Sequence, residues 1–84
     1  MQGNRVYRND NASFSIDLMS RFWSLVALVF NEDGTIKPHT KDARKQLISV
    51  CSQIDKTGAS YGNARTGEMN EYNVRRLIAI FSNR

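Results

Sequence analysis

Apolar residues recur at helical spacing in three stretches of the chain, separated by polar segments that carry glycine. In the first stretch, Leu18, Met19, Phe22, Trp23, Leu25, Val26, Val29 and Phe30 fall within an arc of about 160° on a helix. Asp17, Ser20, Arg21 and Ser24 take the opposite side, and Leu28 lies outside the apolar arc. A strand pattern competes at the start, where Phe14, Ile16 and Leu18 alternate with Ser13, Ser15 and Asp17. Extended through the whole stretch, a strand would place polar residues on both faces. The spacing therefore predicts a helix over about 14–31, with Ser13 or Ser15 as N-cap and Asp17 well placed in the first turn.

The second stretch follows a turn, Asn31-Glu32-Asp33-Gly34-Thr35, in which Gly34 is free to take a positive φ. Pro38 fixes the approach to a helix over about 40–57, with Thr40 as its N-cap. Ala43, Leu47, Val50, Cys51 and Ile54 form its apolar stripe, and Gly58 stands where helices commonly stop. Between Gly58 and Gly67 little can pack except Tyr61. In the third stretch Val74, Leu77, Ile78 and Phe81 repeat at i, i+3, i+4 and i+7, which predicts a helix over about 69–82. Residues 1–12 are polar and Asn-rich, and they read as a flexible arm, although Arg5 to Arg8 could pair as a short edge strand. The expected fold is all-α: a small three-helix bundle, one helical domain over 13–84 behind that arm.

Size changes the picture first. An 84-residue chain buries only about 60% of the surface its unfolded form exposes, so its own core is marginal. The apolar arc of the first helix is wide for such a domain, which points to self-association, as a dimer in the simplest case. Trp23, with Leu28 or Phe30, would anchor that interface, and aromatic anchors carry a disproportionate share of binding energy.

Candidate chemistry removes more than it adds. One Cys and one His exclude a disulfide framework and a structural zinc site built on those residues. The first linker places Asn31, Asp33 and Gly34 at calcium-loop spacing, but Val29 and Thr40 stand where an acidic first ligand and a bidentate Glu are required. Gly62 to Gly67 has the glycine spacing of a phosphate-binding loop, yet Glu68 and Met69 replace the Lys and Ser/Thr that should follow. Cys51 reads as a small core residue, and His39 stands without a second ligand. No nucleophile, base or metal constellation is assembled, so the chain reads as non-enzymatic, with no metal, cofactor or small-molecule substrate. Leu25 to Phe30 is the longest apolar run, far short of the roughly 20 residues of a membrane span, and nothing ahead of residue 14 resembles a secretory signal. A soluble, cytoplasmic protein is expected.

Charge supplies the functional reading. Twelve Lys+Arg against eight Asp+Glu leave a net charge of +4. On the second helix Lys41, Lys45 and Lys56 fall within about 60° of one another, opposite the apolar stripe, and Arg44 borders them. Arg5 and Arg8 on the arm add reach. This pattern predicts phosphate-backbone contacts to nucleic acid with little sequence selection. The linker between the last two helices is too long for a tight helix-turn-helix, which argues against base reading by that motif. Two alternatives belong to other classes. One is a protein-binding adaptor or inhibitor acting through Trp23, Leu28 and Phe30 with the glycine-rich loop, which would present Tyr61 and Arg65. The other is a structural subunit of a larger assembly.

Overall fold

The computed structural model describes residues 6–8 and 13–82. Three helices dominate: α1 (Ile16–Val29), α2 (Lys41–Ile54) and α3 (Glu71–Ser82). Two short antiparallel ladders accompany them, β1 (Val6–Arg8) with β2 (Ser13–Ser15), and β3 (Gly62–Asn63) with β4 (Glu68–Met69). The chain is thus mostly helical, as the periodicity predicts, but a purely α description is incomplete.

Each helix boundary has a local cause. The alternation at Ser13, Phe14 and Ser15 is a real strand signal: these residues pair with Arg8, Tyr7 and Val6, and the helix begins only at Ile16. Within the expected arm, then, Val6–Arg8 is an edge strand, while residues 1–5 and 9–12 lie outside the described residues. α1 stops at Val29 rather than near 31 because Phe30 bridges to Ile36 across the turn and the Lys37 N–H bonds the Val29 carbonyl. Gly34 takes φ +90°, as that turn demands, and Asp33 accepts hydrogen bonds from the Thr35 N–H at 3.0 Å and hydroxyl at 2.7 Å.

α2 begins after Thr40, but the Thr40 hydroxyl does not cap it: it donates to the Lys37 carbonyl at 2.9 Å. The helix ends at Ile54, not at 57, because Asp55 turns extended and its carboxylate takes the Thr57 N–H and the Tyr61 hydroxyl. That pull removes the chain from the helix three residues before Gly58. α3 starts one residue after Asn70, whose side-chain oxygen accepts the Asn73 N–H at 3.1 Å, a standard N-cap bond.

The core joins all three helices. Phe22, Leu25, Val29 and Phe30 face Leu47, Ile48, Val50, Cys51 and Ile54 of α2, with Val74 and Leu77 of α3 and Tyr61 completing the cluster. Full burial of a side chain such as Phe22 or Leu47 is worth about 1.5–3 kcal/mol. Phe22 also makes edge-to-face contacts with Trp23 and with Phe81 of α3, at ring-centroid distances of 5.1 and 5.7 Å. Among the described residues no helix is long and apolar enough to cross a membrane.

Candidate nucleic-acid interface

The β3–β4 ladder is the element that organises the basic surface. Gly62 and Asn63 pair with Met69 and Glu68, closing a turn whose Gly67 N–H bonds the Asn63 carbonyl at 2.9 Å. The Asn63 side-chain oxygen accepts the N–H groups of Arg65 and Thr66, which orders the turn from within. This hairpin lies on the N-terminal half of α2. A methyl group built on Gly67 would come within 3.1 Å of both the Lys41 carbonyl oxygen and Lys41 Cγ, and within 3.6 Å of Lys45 Cγ. The stems of Lys41 and Lys45 therefore run past the hairpin, and Arg65 sits two residues from that contact on the exposed turn.

Arg44 holds this junction together. Its Nε donates to the Gly67 carbonyl at 3.2 Å and its Nη1 to the Thr40 hydroxyl at 3.1 Å, with the side chain half-buried. Of the nitrogens expected to meet phosphate, Nε is thus engaged with the hairpin and Nη1 with the residue that precedes α2. Beside it lies an open cleft of about 280 Å³ lined by Ile36, Arg44, Thr66, Gly67, Glu68, Met69 and Glu71. Glu68 and Glu71 give this cleft two acidic side chains beside Arg44.

The remaining sequence-derived residues divide clearly. Lys56 is exposed, but it follows the end of α2 and is not on the helix face with Lys41 and Lys45. About 21 Å of helix separates it from Lys41, so the pair does not form one patch. Arg8 lies on β1, and Arg5 is outside the described residues. Trp23 and Leu28 are exposed at 36% and 56%. Phe30 and Tyr61, by contrast, retain only 9% and 4% of their surface and belong to the core, so neither is a surface anchor. Phe30 is covered in part by the Arg75 guanidinium, 5.3 Å from its ring centroid, while Arg75 also pairs with Glu71 at 3.1 Å.

Tyr61 fills the space behind the second linker and donates its hydroxyl to Asp55. Burial first, and then the Asp55 carboxylate, push the Tyr61 phenol well above its ordinary value. For Asp55 burial acts upward, but the Tyr61 and Thr57 hydrogen bonds, with Arg76 nearby, outweigh it and hold the carboxyl below the usual range. Burial likewise pushes the Cys51 thiol up to about 12, which leaves it a packed, unreactive side chain. Among the described residues no three His, Cys, Asp or Glu side chains gather where they could hold a metal ion.

The junction of the hairpin with α2 was missed by the reading of sequence. A signal existed: Gly62-Asn63 and Gly67 bracket a short polar turn between Tyr61 and Met69, a hairpin pattern once the phosphate-loop reading is set aside. Comparison with protein-family models, curated proteins and solved structures found no match for this chain.

Proposed function

We propose that the chain is a small, non-enzymatic nucleic-acid-binding protein that grips phosphates through the ridge formed by Lys41, Lys45 and Arg65. The observation that supports this reading most is the contact of Gly67 with the stems of Lys41 and Lys45. It seats the turn that carries Arg65 against the part of α2 that carries Lys41 and Lys45, some twenty residues away in the chain. Cations carried on a helix and an ordered turn lose less freedom on meeting a phosphate than cations on a mobile loop. With Asp42 on the same helical turn and Glu68 across the hairpin, the ridge is moderate in charge, which suits backbone contact rather than tight base-specific reading.

Three helices acting as one bundle would supply the rigid support, and Lys56 would add a secondary contact at a distance. A reducing, cytoplasmic setting fits the single buried cysteine. The adaptor reading loses two of its anchors, since Phe30 and Tyr61 are core residues, and keeps only Trp23 and Leu28.

Reversal of charge provides the test. The pair Lys41→Glu and Lys45→Glu should weaken binding to a short oligonucleotide at least about tenfold at low salt, because counterion release is lost and repulsion gained. Circular dichroism should show the helices intact. Unchanged affinity in a folded double variant would remove this function.

A further inference from the structure

We propose that a second copy of the chain docks on the outer face of α1, with the two helices antiparallel. It is independent of the phosphate ridge and shares with the sequence reading only the placing of association on α1; the face and the register are argued from the structure. The face is defined by exposure. Ile16, Ser20, Trp23 and Ala27 are all exposed, with Ile16 at 48% and Trp23 at 36%. Their spacing of four, three and four residues is a heptad seam, the pattern by which one helix presents a continuous stripe to another. It points away from the core, which occupies the side carrying Phe22, Leu25 and Val29.

The seam is self-complementary in one orientation. Run antiparallel, Ile16 meets Ala27 of the partner subunit and Trp23 meets the partner's Ser20, so each large side chain faces a small one at all four levels. A parallel pairing in register would instead set Trp23 on Trp23 and leave a gap at Ser20. Trp23 is already oriented for this, because its ring is held edge-to-face against the buried Phe22. Little side-chain freedom remains to be lost on docking.

Charge agrees with the same orientation. Lys37 donates its ammonium to the Ala27 carbonyl at 2.9 Å, placing a cation at the C-terminal end of the seam. Asp17 stands exposed at the other end, beside Ile16. Antiparallel docking brings Asp17 to the partner's Lys37 twice, and it opposes the two helix dipoles. Parallel docking would bring like charges together at both ends. With two large side chains per copy the interface is small, so association is weak and reversible.

Sedimentation equilibrium without nucleic acid tests this, at chain concentrations up to about 1 mM, where even a binding energy near 4 kcal/mol becomes visible. The mass should rise toward twice 9.6 kDa, and emission from Trp23, the only tryptophan, should shift blue with it. Ser20→Trp, on an exposed position, should abolish the rise. Chains carrying Ile16→Cys and Ala27→Cys should form a mixed disulfide when combined, and neither should cross-link alone. A monomer throughout, a mass increase indifferent to Ser20→Trp, or self-cross-linking of Ile16→Cys would each overturn the proposal. A monomer that still binds oligonucleotide would sink the docking alone, and a dimer that binds none would sink only the function.

Discussion

Replacing Tyr61 by Phe isolates one hydrogen bond and leaves the packing in place. The ring stays in its buried site, so no cavity opens; what disappears is the hydroxyl that donates to Asp55. A bond to a charged acceptor is worth about 1.5–3 kcal/mol, and the partial exposure of Asp55 trims the expected loss to about 1–2 kcal/mol. Against a total stability of about 4–13 kcal/mol for a chain of this size, that loss is large. It corresponds to roughly 5–15 °C in melting temperature. The pH dependence gives the prediction its edge. In the folded chain the Asp55 carboxyl is held below its ordinary 3.8, so its contribution is complete above the unfolded value and is lost as pH falls through the folded one. Tyr61 acts at the other end: its phenol is raised above 10.0, so its contribution is present below that value and lost as pH climbs past it. Urea unfolding followed by Trp23 fluorescence should therefore show the largest gap between native and Tyr61→Phe chains near neutral pH. The gap should narrow as pH falls below 3.8 and again as it rises above 10.0. Equal stability at neutral pH, or a gap that stays constant across the range, would refute the assignment of this bond.

Two further outcomes are expected. Gly62→Ala should cost about 2–3 kcal/mol and loosen the hairpin, since the residue holds φ +121° and a methyl there would lie 2.8 Å from Met69 Cα; thermal melting measures it. Cys51 should resist thiol reagents at about pH 8 in the folded chain and react on unfolding, because raising the thiol from 9.0 to about 12 leaves roughly 1000-fold less thiolate; native-state labelling as fast as in urea would contradict its burial.

The helices were legible because their cores repeat at 3.6 residues: Leu47, Val50, Cys51 and Ile54 are buried as their stripe requires, and Val74 and Leu77 likewise. Boundaries were less so. Asp55 ends α2 through bonds to Thr57 and to Tyr61, and the second of these partners lies six residues on, beyond any local helix signal. Phe30 matched the apolar arc of α1, yet periodicity alone could not say whether it faced solvent or core; its packing into the core cluster, with the Arg75 guanidinium over part of its ring, decided it. Arg44 illustrates the same limit for the site. Its helical angle borders the lysines, but its role follows from a carbonyl 23 residues away, and no window along the chain contains both. Tertiary contacts of that kind, rather than propensity, fix what such a side chain touches in the folded chain.

The central claim is that Lys41, Lys45 and Arg65 act as one phosphate-binding ridge. Its most direct test is the slope of log affinity against log salt for a short duplex, measured for the native chain and for Lys41→Glu, Lys45→Glu and Arg65→Glu singly. Three backbone contacts give a slope of about −2.7, and each variant should lower its magnitude by about 0.9. No binding at low salt, or a slope that ignores all three substitutions, would contradict the account.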